Sequence, residues 1–131
     1  MAQVDLNDEE MVIDTSLDNI VIIKMLECGP SGGCSLDVTG FSPTVIKAGH
    51  VIIRDKKNNK EYKPMPIKAD GTAYADLPTD HEIVGVAYSS VLTKRAFMTI
   101  MFRGTVNVEA SPYPVTDAIK AALTLIRFTQ D

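Results

Sequence analysis

The side chains that could carry chemistry in this chain are two cysteines, two histidines and a group of loop carboxylates. Cys28 and Cys34 are separated by five residues, and His50 and His81 each stand alone in the sequence. A nucleophile needs a base within hydrogen-bond reach, and a structural zinc ion needs two closely spaced pairs of ligands. The four residues form neither pattern, so we interpret His50 as a strand-edge histidine and His81 as a surface-loop histidine. No catalytic residue, metal site or cofactor is predicted.

The carboxylates in or beside one loop, Asp70, Asp76, Asp80 and Glu82, are the remaining candidates for acid–base work. Paired acids become an acid and a base when their surroundings push the two pKa values apart, and a polar loop offers no such partner. We therefore predict a binding protein and not an enzyme. A small enzyme that uses these four acids is kept as an alternative.

Composition narrows the class of partner. The chain has 131 residues and a net charge of -4, and its pI is near 5.1. Binding to a phosphate backbone draws its affinity from Lys and Arg, so nucleic acid is not an expected partner. We also expect no membrane partner, because no apolar run reaches the length of a bilayer and the N-terminus is acidic where a signal peptide is basic. Without a secretory signal, reduced thiols at Cys28 and Cys34 are favoured over a hairpin disulfide.

The hydrophobic pattern predicts a mainly β fold with one short helix near the C-terminus. β-branched residues recur in short runs bounded by Gly, Pro and polar turns, which is typical of strands. The predicted strands are residues 20–26, 35–39, 50–54, 61–65, 82–88, 96–102, 105–108 and 124–128. Pro64 confines the 61–65 strand to a sheet edge or to a strand end, and two apolar faces place the 96–102 strand at a sheet centre. Thr116 is predicted as the helix N-cap, with Asp117 in the first turn.

The sequence also predicts how the chain is organised. Residues 1–19, which begin with an acidic run, are expected to be a mobile N-terminal arm. Residues 20–131 are expected to form a single β-rich domain. Within it, residues 20–40 are predicted as an N-terminal hairpin around the Gly-rich turn at 29–33, and residues 41–131 as the core.

Five short pieces of sequence occur in an order that is informative as a set. They are Ala48-Gly49-x-Val51-Ile52, Tyr62-Lys63-Pro64, Gly85-Val86-Ala87-Tyr88, Phe102-Arg103-Gly104-Thr105-Val106 and Ile126-Arg127-Phe128. Together with the small helix, this order resembles the head decoration proteins of tailed bacteriophages, which include phage lambda-type capsid decoration and head fibre proteins. The resemblance covers residues 44–129. The fold that it implies is a small β-clip or β-tulip-like domain preceded by an extended arm.

The resemblance also implies a function. A decoration protein is a homotrimer on the outer capsid surface of the virion, made in the host cytoplasm, where it clamps neighbouring subunits of the major capsid protein. The capsid-binding residues that follow from it are in the arm and in a basic hairpin tip. They are Asp5, Leu6, Met11, Val12, Ile13, Lys56 and Lys57. A solvated tip that keeps an edge strand from pairing is the other interpretation of the lysines.

A second resemblance leads to a different class of function. The run from Val45 to Ile52 is similar to the opening of β-clip domains of the antifreeze-like type, some of which are appended to sugar-acid enzymes. It implies a carbohydrate-binding module, and it makes a host-surface glycan a further candidate partner.

Overall fold

The computed structural model describes residues 22–28, 33–57 and 61–130. This part of the chain is mainly β, with 40% of its residues in strands and one short helix near the C-terminus, so the predicted fold class is confirmed. The strands are β1 (Ile23–Cys28), β2 (Cys34–Ser35), β3 (Val45–Ile46), β4 (Val51–Asp55), β5 (Tyr62–Pro64), β6 (His81–Ala87), β7 (Val91–Leu92), β8 (Phe97–Met98), β9 (Ile100–Met101), β10 (Arg103–Asn107) and β11 (Ile126–Thr129), and helix α1 is Asp117–Ala122.

The largest sheet has four strands in the order β5-β4-β6-β9. β4 lies between β5 and β6, and its first three residues are buried, since Val51, Ile52 and Ile53 are each at most 1% exposed. β5 pairs antiparallel with β4 and lies at the edge, as Pro64 predicts. Gly85 lets β6 and β9 approach, since a Cβ atom there would lie 2.5 Å from the backbone oxygen of Met101.

A three-stranded sheet joins the two ends of the described chain. Its order is β1-β10-β11, with β1 antiparallel and β11 parallel to the central strand. Ile23 lies opposite Val106, and Val106 lies opposite Phe128. Two short pairs, β2 with β8 and β3 with β7, complete the strand pairing of the described residues.

Two predictions about strand pairing are wrong. The N-terminal hairpin at residues 20–40 does not form, because β1 pairs with β10 and β2 pairs with β8. The 96–102 run is not one central strand: it breaks into β8 and β9, and β9 ends the four-stranded sheet. The face that carries Met98 and Ile100 is buried, at 3% and 0% exposure. On the other face Met101 is buried but Phe97 is 47% exposed, so the run is not covered on both faces along its whole length.

Alternate side chains of the four-stranded sheet enter two hydrophobic cores. Val51 and Ile53 of β4 point into one core together with Val86, while Ile52 and Ala87 belong to the other. This is the period-2 alternation of a strand that is covered on both faces. The first core also receives the buried Ile23, which ties β1 to the main body.

Helix α1 has the local structure that its sequence predicts. The Thr116 side chain accepts a hydrogen bond from the Ile119 backbone N–H at 3.4 Å, and Asp117 lies in the first turn, where an anion is favoured by the helix dipole. Ile119 and Leu123 are buried in the first core and hold the helix against it. In the part of the chain that the structure describes, no helix has the length and apolar character that crossing a bilayer requires.

Candidate functional site

The candidate site is built around a tight turn that places His50 at the start of β4. The His50 backbone N–H donates to Lys47 O at 3.1 Å, which closes the turn, and Gly49 takes a φ of +86°. A Cβ atom at Gly49 would lie 2.9 Å from the Ile22 side chain and 3.3 Å from that of Pro112, so both space and conformation require glycine. The turn thereby lets the Pro112 segment pack directly on the His50 region.

His50 is buried, at 1% exposure, so its interpretation as a strand-edge histidine is wrong. Its ring is enclosed edge-on by Phe41, Tyr74 and Tyr113, with ring centroids 5.4, 5.2 and 5.6 Å away. Its Nε2 lies 2.9 Å from Met65 O. A carbonyl oxygen only accepts, so Nε2 carries the proton and Nδ1 is a bare acceptor.

The aromatic enclosure also fixes the charge of His50. Burial lowers the pKa of His50 to about 4, although the hydrogen bond to Met65 acts in the opposite direction. The imidazole is therefore neutral at physiological pH. Tyr74, whose pKa is raised by burial, accepts a hydrogen bond from the Val51 backbone N–H at 3.0 Å and is also neutral. The interior of the site thus presents polar atoms without a formal charge.

A cleft of about 490 Å³ lies beside His50. Its lining residues are Pro43, Thr44, Val45, Lys47, His50, Gly71, Pro112 and Tyr113. They come from the β3 region, from the loop between β5 and β6, and from the loop after β10. Polar and apolar groups contribute about equally to the wall, and Lys47 is an exposed cation in that lining.

A second, smaller cleft of about 280 Å³ has Asp37, Phe41, Lys63 and His81 among its lining residues. The hydroxyl of Thr39 donates to Asp37 Oδ1 at 2.7 Å, and the Thr39 backbone N–H donates to the same oxygen at 3.1 Å. These bonds, the hydroxyl first, lower the pKa of Asp37 to about 2 despite its burial, and the Glu61 side chain contributes in the same direction. Asp37 is therefore a carboxylate across the physiological range.

Asp37 was missed by the sequence analysis, although a signal for it was present. An Asp or Asn followed two residues later by a polar residue commonly folds back on its own backbone, and the chain contains both Asp37-x-Thr39 and Asp70-x-Thr72. Asp70 makes the equivalent pair of bonds, to Thr72 Oγ1 and to the Thr72 backbone N–H. What the pattern could not indicate is that Asp37 is buried and Asp70 is exposed.

His81 is the first residue of β6, and its interpretation as a loop histidine is therefore wrong. Its Nδ1 lies 2.8 Å from Thr79 O, which places the proton on Nδ1. The Nε2 atom is buried without a hydrogen-bond partner. The two histidines thus line different clefts with opposite tautomers, and the structure does not bring them together.

Three of the four loop acids considered for catalysis, Asp70, Asp80 and Glu82, are engaged with separate partners. Glu82 pairs with Arg54 across β4 and β6, and Asp80 pairs with Lys57 at 3.2 Å. Asp70 is bound within its own turn, where the Thr72 backbone N–H and hydroxyl lower its pKa. Each of these three carboxylates has a local structural role. Among residues 22–28, 33–57 and 61–130, no three His, Cys, Asp or Glu side chains stand close enough to hold a metal ion together.

The predicted capsid-binding residues fall in two groups. Lys56 and Lys57 are exposed at the tip that follows β4, and Lys57 keeps 78% of its side-chain surface exposed despite its ion pair. The other five, all in residues 5–13, lie outside the described residues, as does the whole predicted arm. Cys34 carries a free thiol, whose pKa is raised by burial.

Comparison of the chain with protein-family models, with curated proteins and with solved structures finds no match.

Proposed function

We propose that this protein is a phage capsid decoration protein, which binds the outer surface of the viral head as a homotrimer and stabilises contacts between major capsid subunits. The pieces of sequence that carry the resemblance support this proposal by their location. They fall mainly on β4, β5, β6, β10 and β11, which are strands of the two larger sheets. The ordered set therefore corresponds to one connected framework and not to scattered loops.

The observation that carries the proposal is the open edge of the three-stranded sheet at β11. One side of β11 pairs with β10, and no described strand pairs with the other side. Leu125, directly before β11, is 62% exposed. An open strand edge beside a large exposed apolar side chain is suited to accept a strand from a neighbouring subunit. We assign this edge as the main contact with the capsid.

The opposite edge of the same sheet supports a second contact. β1 lies at that edge, and residues 1–19 precede it in the chain. In the proposed complex, Leu6, Met11, Val12 and Ile13 supply apolar contacts to the capsid, and Asp5 supplies a charged one. Lys56 and Lys57 add electrostatic docking against acidic groups on a neighbouring subunit.

In a trimer, three weak contacts together are sufficient for stable binding to the capsid. A single strand-edge contact by a 14.3 kDa chain gives modest affinity, whereas three such contacts held in one trimer act with high effective concentration. The proposal therefore predicts that capsid binding depends on oligomerisation. Trimer formation and capsid binding are therefore tested by separate measurements.

The test uses the full-length chain and expanded heads assembled from the major capsid protein that the same genome encodes. Sedimentation gives the mass of the free protein, and cosedimentation with heads at several salt concentrations gives the bound ratio. We expect a trimer that adds at a fixed ratio to capsid subunits, with density at threefold positions in reconstructions. A protein that does not add to heads under any of these conditions overturns the proposal.

Two matched substitutions locate the contact. Leu125→Asp places a charge at the β11 edge, and Leu77→Asp places one on a similarly exposed leucine in the loop before β6. We expect Leu125→Asp to lower head binding at least tenfold and Leu77→Asp to leave it unchanged. Equal binding by both variants would remove the β11 edge from the interface.

A further inference from the structure

The smaller cleft, of about 280 Å³, has opposite charges in its lining and is not used by the proposed capsid contacts. Asp37 and Lys63 are both lining residues. Asp37 is 9% exposed, and Thr39 donates two hydrogen bonds to its Oδ1. Lys63 is half-buried. The cleft therefore has one anionic and one cationic group in the wall of a single small space.

The register of the main sheet places both charges at the cleft. Lys63 of β5 lies opposite Ile53 of β4, and the side chains of a directly opposed pair point to the same face of a sheet. Ile53 is itself a lining residue, so the Lys63 side chain is on the face that borders the cleft. The Asp37 backbone N–H donates to Tyr62 O at 2.9 Å, which brings Asp37 beside the residue that precedes Lys63. In the part of the chain that the structure describes, Lys63 makes no ion pair.

We propose that this cleft binds a free α-amino acid with an apolar side chain, whose ammonium group is held by Asp37 and whose carboxylate is held by Lys63. Small-molecule sites have volumes of about 300–1,000 Å³, so a cleft at the lower end of this range suits a ligand of amino-acid size. The site is separate from the β11 edge. It does not depend on capsid binding, and either proposal can fail alone.

The two charges favour a zwitterion over a simple cation or anion. A ligand with only an ammonium group would bring a like charge towards Lys63, and one with only a carboxylate would bring a like charge towards Asp37. Asp37 is ionised at physiological pH, because the Thr39 hydroxyl and backbone N–H lower its pKa to about 2. A carboxylate has about four acceptor positions, so it can accept from an ammonium group in addition to the bonds from Thr39.

The remaining lining is suited to an aliphatic side chain. The larger part of the wall is apolar, and its apolar residues are Phe41, Ile53, Pro64, Pro66, Ile67 and Pro78. The Phe41 ring is packed edge-on against the buried His50 ring, with centroids 5.4 Å apart. Proline rings and a packed aromatic ring lose little conformational freedom when a ligand binds. We therefore expect leucine to bind more tightly than glycine.

The test titrates the full-length protein with L-leucine and with two analogues that each lack one charge. 4-Methylpentanoate lacks the ammonium group, and L-leucinol has a hydroxyl group in place of the carboxylate. Glycine keeps both charges but lacks the apolar side chain. Calorimetry measures the affinities. We expect leucine to saturate with a Kd of about 1 mM, and the other three compounds to bind at least fivefold more weakly.

The contact with Asp37 is followed by carboxyl ¹³C NMR, because this buried side chain is part of the fold. The Asp37 Cγ resonance is expected to shift with leucine occupancy. Asp70 is the internal control, since it makes the same pair of bonds with Thr72 but is exposed and is not in the cleft lining. Its resonance should not move.

Lys63→Met removes the cation, and Lys120→Met on helix α1 is the control for loss of one lysine away from the cleft. We expect Lys63→Met to bind leucine no more tightly than the unmodified chain binds leucinol, and Lys120→Met to bind leucine with unchanged affinity. The proposal is overturned by any one of four results: no saturable leucine binding, a test compound that binds as tightly as leucine, an unshifted Asp37 resonance at saturation, or an unchanged leucine affinity in Lys63→Met.

Discussion

Acid should lower the stability of this protein through the protonation of His50. The pKa of the buried imidazole is lowered from 6.5 to about 4. Between these pH values, His50 is therefore protonated in the unfolded chain and neutral in the folded chain. The stabilising contribution of the neutral ring is therefore complete above pH 6.5, and it is lost as the pH falls towards 4. Between pH 7 and pH 4.5 the free energy of unfolding is expected to fall by about 2 kcal/mol, at 1.36 kcal/mol per unit of pKa difference.

Urea unfolding at pH 7 and pH 4.5 measures this loss directly. His50→Gln keeps an N–H donor for Met65 O but does not titrate, so its stability should change little over the same interval, whatever its absolute value at pH 7. His81→Gln is the matched control and should retain the full pH dependence. Asp37 does not interfere, because its lowered pKa confines its own contribution to lower pH. An equal pH dependence in the unmodified chain and in His50→Gln refutes the reasoning.

Three further substitutions test local features. Gly85→Ala should destabilise the protein by about 1–3 kcal/mol in urea unfolding, since the added Cβ meets the backbone of β9, and a change below 0.5 kcal/mol would contradict the close approach. Tyr74→Phe leaves the buried Val51 N–H without its acceptor, and a cost of about 1–3 kcal/mol is expected, with unchanged stability as the contrary result. Thr39→Ala should raise the pKa of Asp37 from about 2, which carboxyl NMR titration would show; an unmoved titration would mean that Thr39 is not the cause.

The sequence pattern correctly predicted those strands, and the start of the helix, that depend mainly on neighbouring residues. β4, β5 and β6 follow runs of β-branched residues with turn residues between them, and each was placed within two residues of its observed bounds. Thr116 and Asp117 located the start of helix α1, because capping depends on neighbours in sequence. Pro64 indicated a sheet edge or a strand end, and it is the last residue of the edge strand β5.

Pairing between distant segments was not predictable from the same signals. The run at residues 20–26 shows that a strand forms but not which strand it joins, and the nearest turn residues favoured a hairpin that does not exist. The His50 environment was hidden for the same reason. Its buried state depends on Tyr74 and Tyr113, which follow it by 24 and 63 residues, so no local window contains them.

The strand order β1-β10-β11 determines how late in synthesis this sheet can form. Its middle strand, β10, has the segment around Ile23 on one flank and the segment around Phe128 on the other, so neither flank can be filled until more than one hundred residues have been translated. The pairing of β1 with β10 closes a loop of about eighty residues, which costs entropy before any contact compensates it, and we expect this pairing to form slowly. A nascent chain stalled shortly before β11 would expose an unpaired edge of β10. Chaperones and proteases of the producing cell would then bind the protein in this incomplete form.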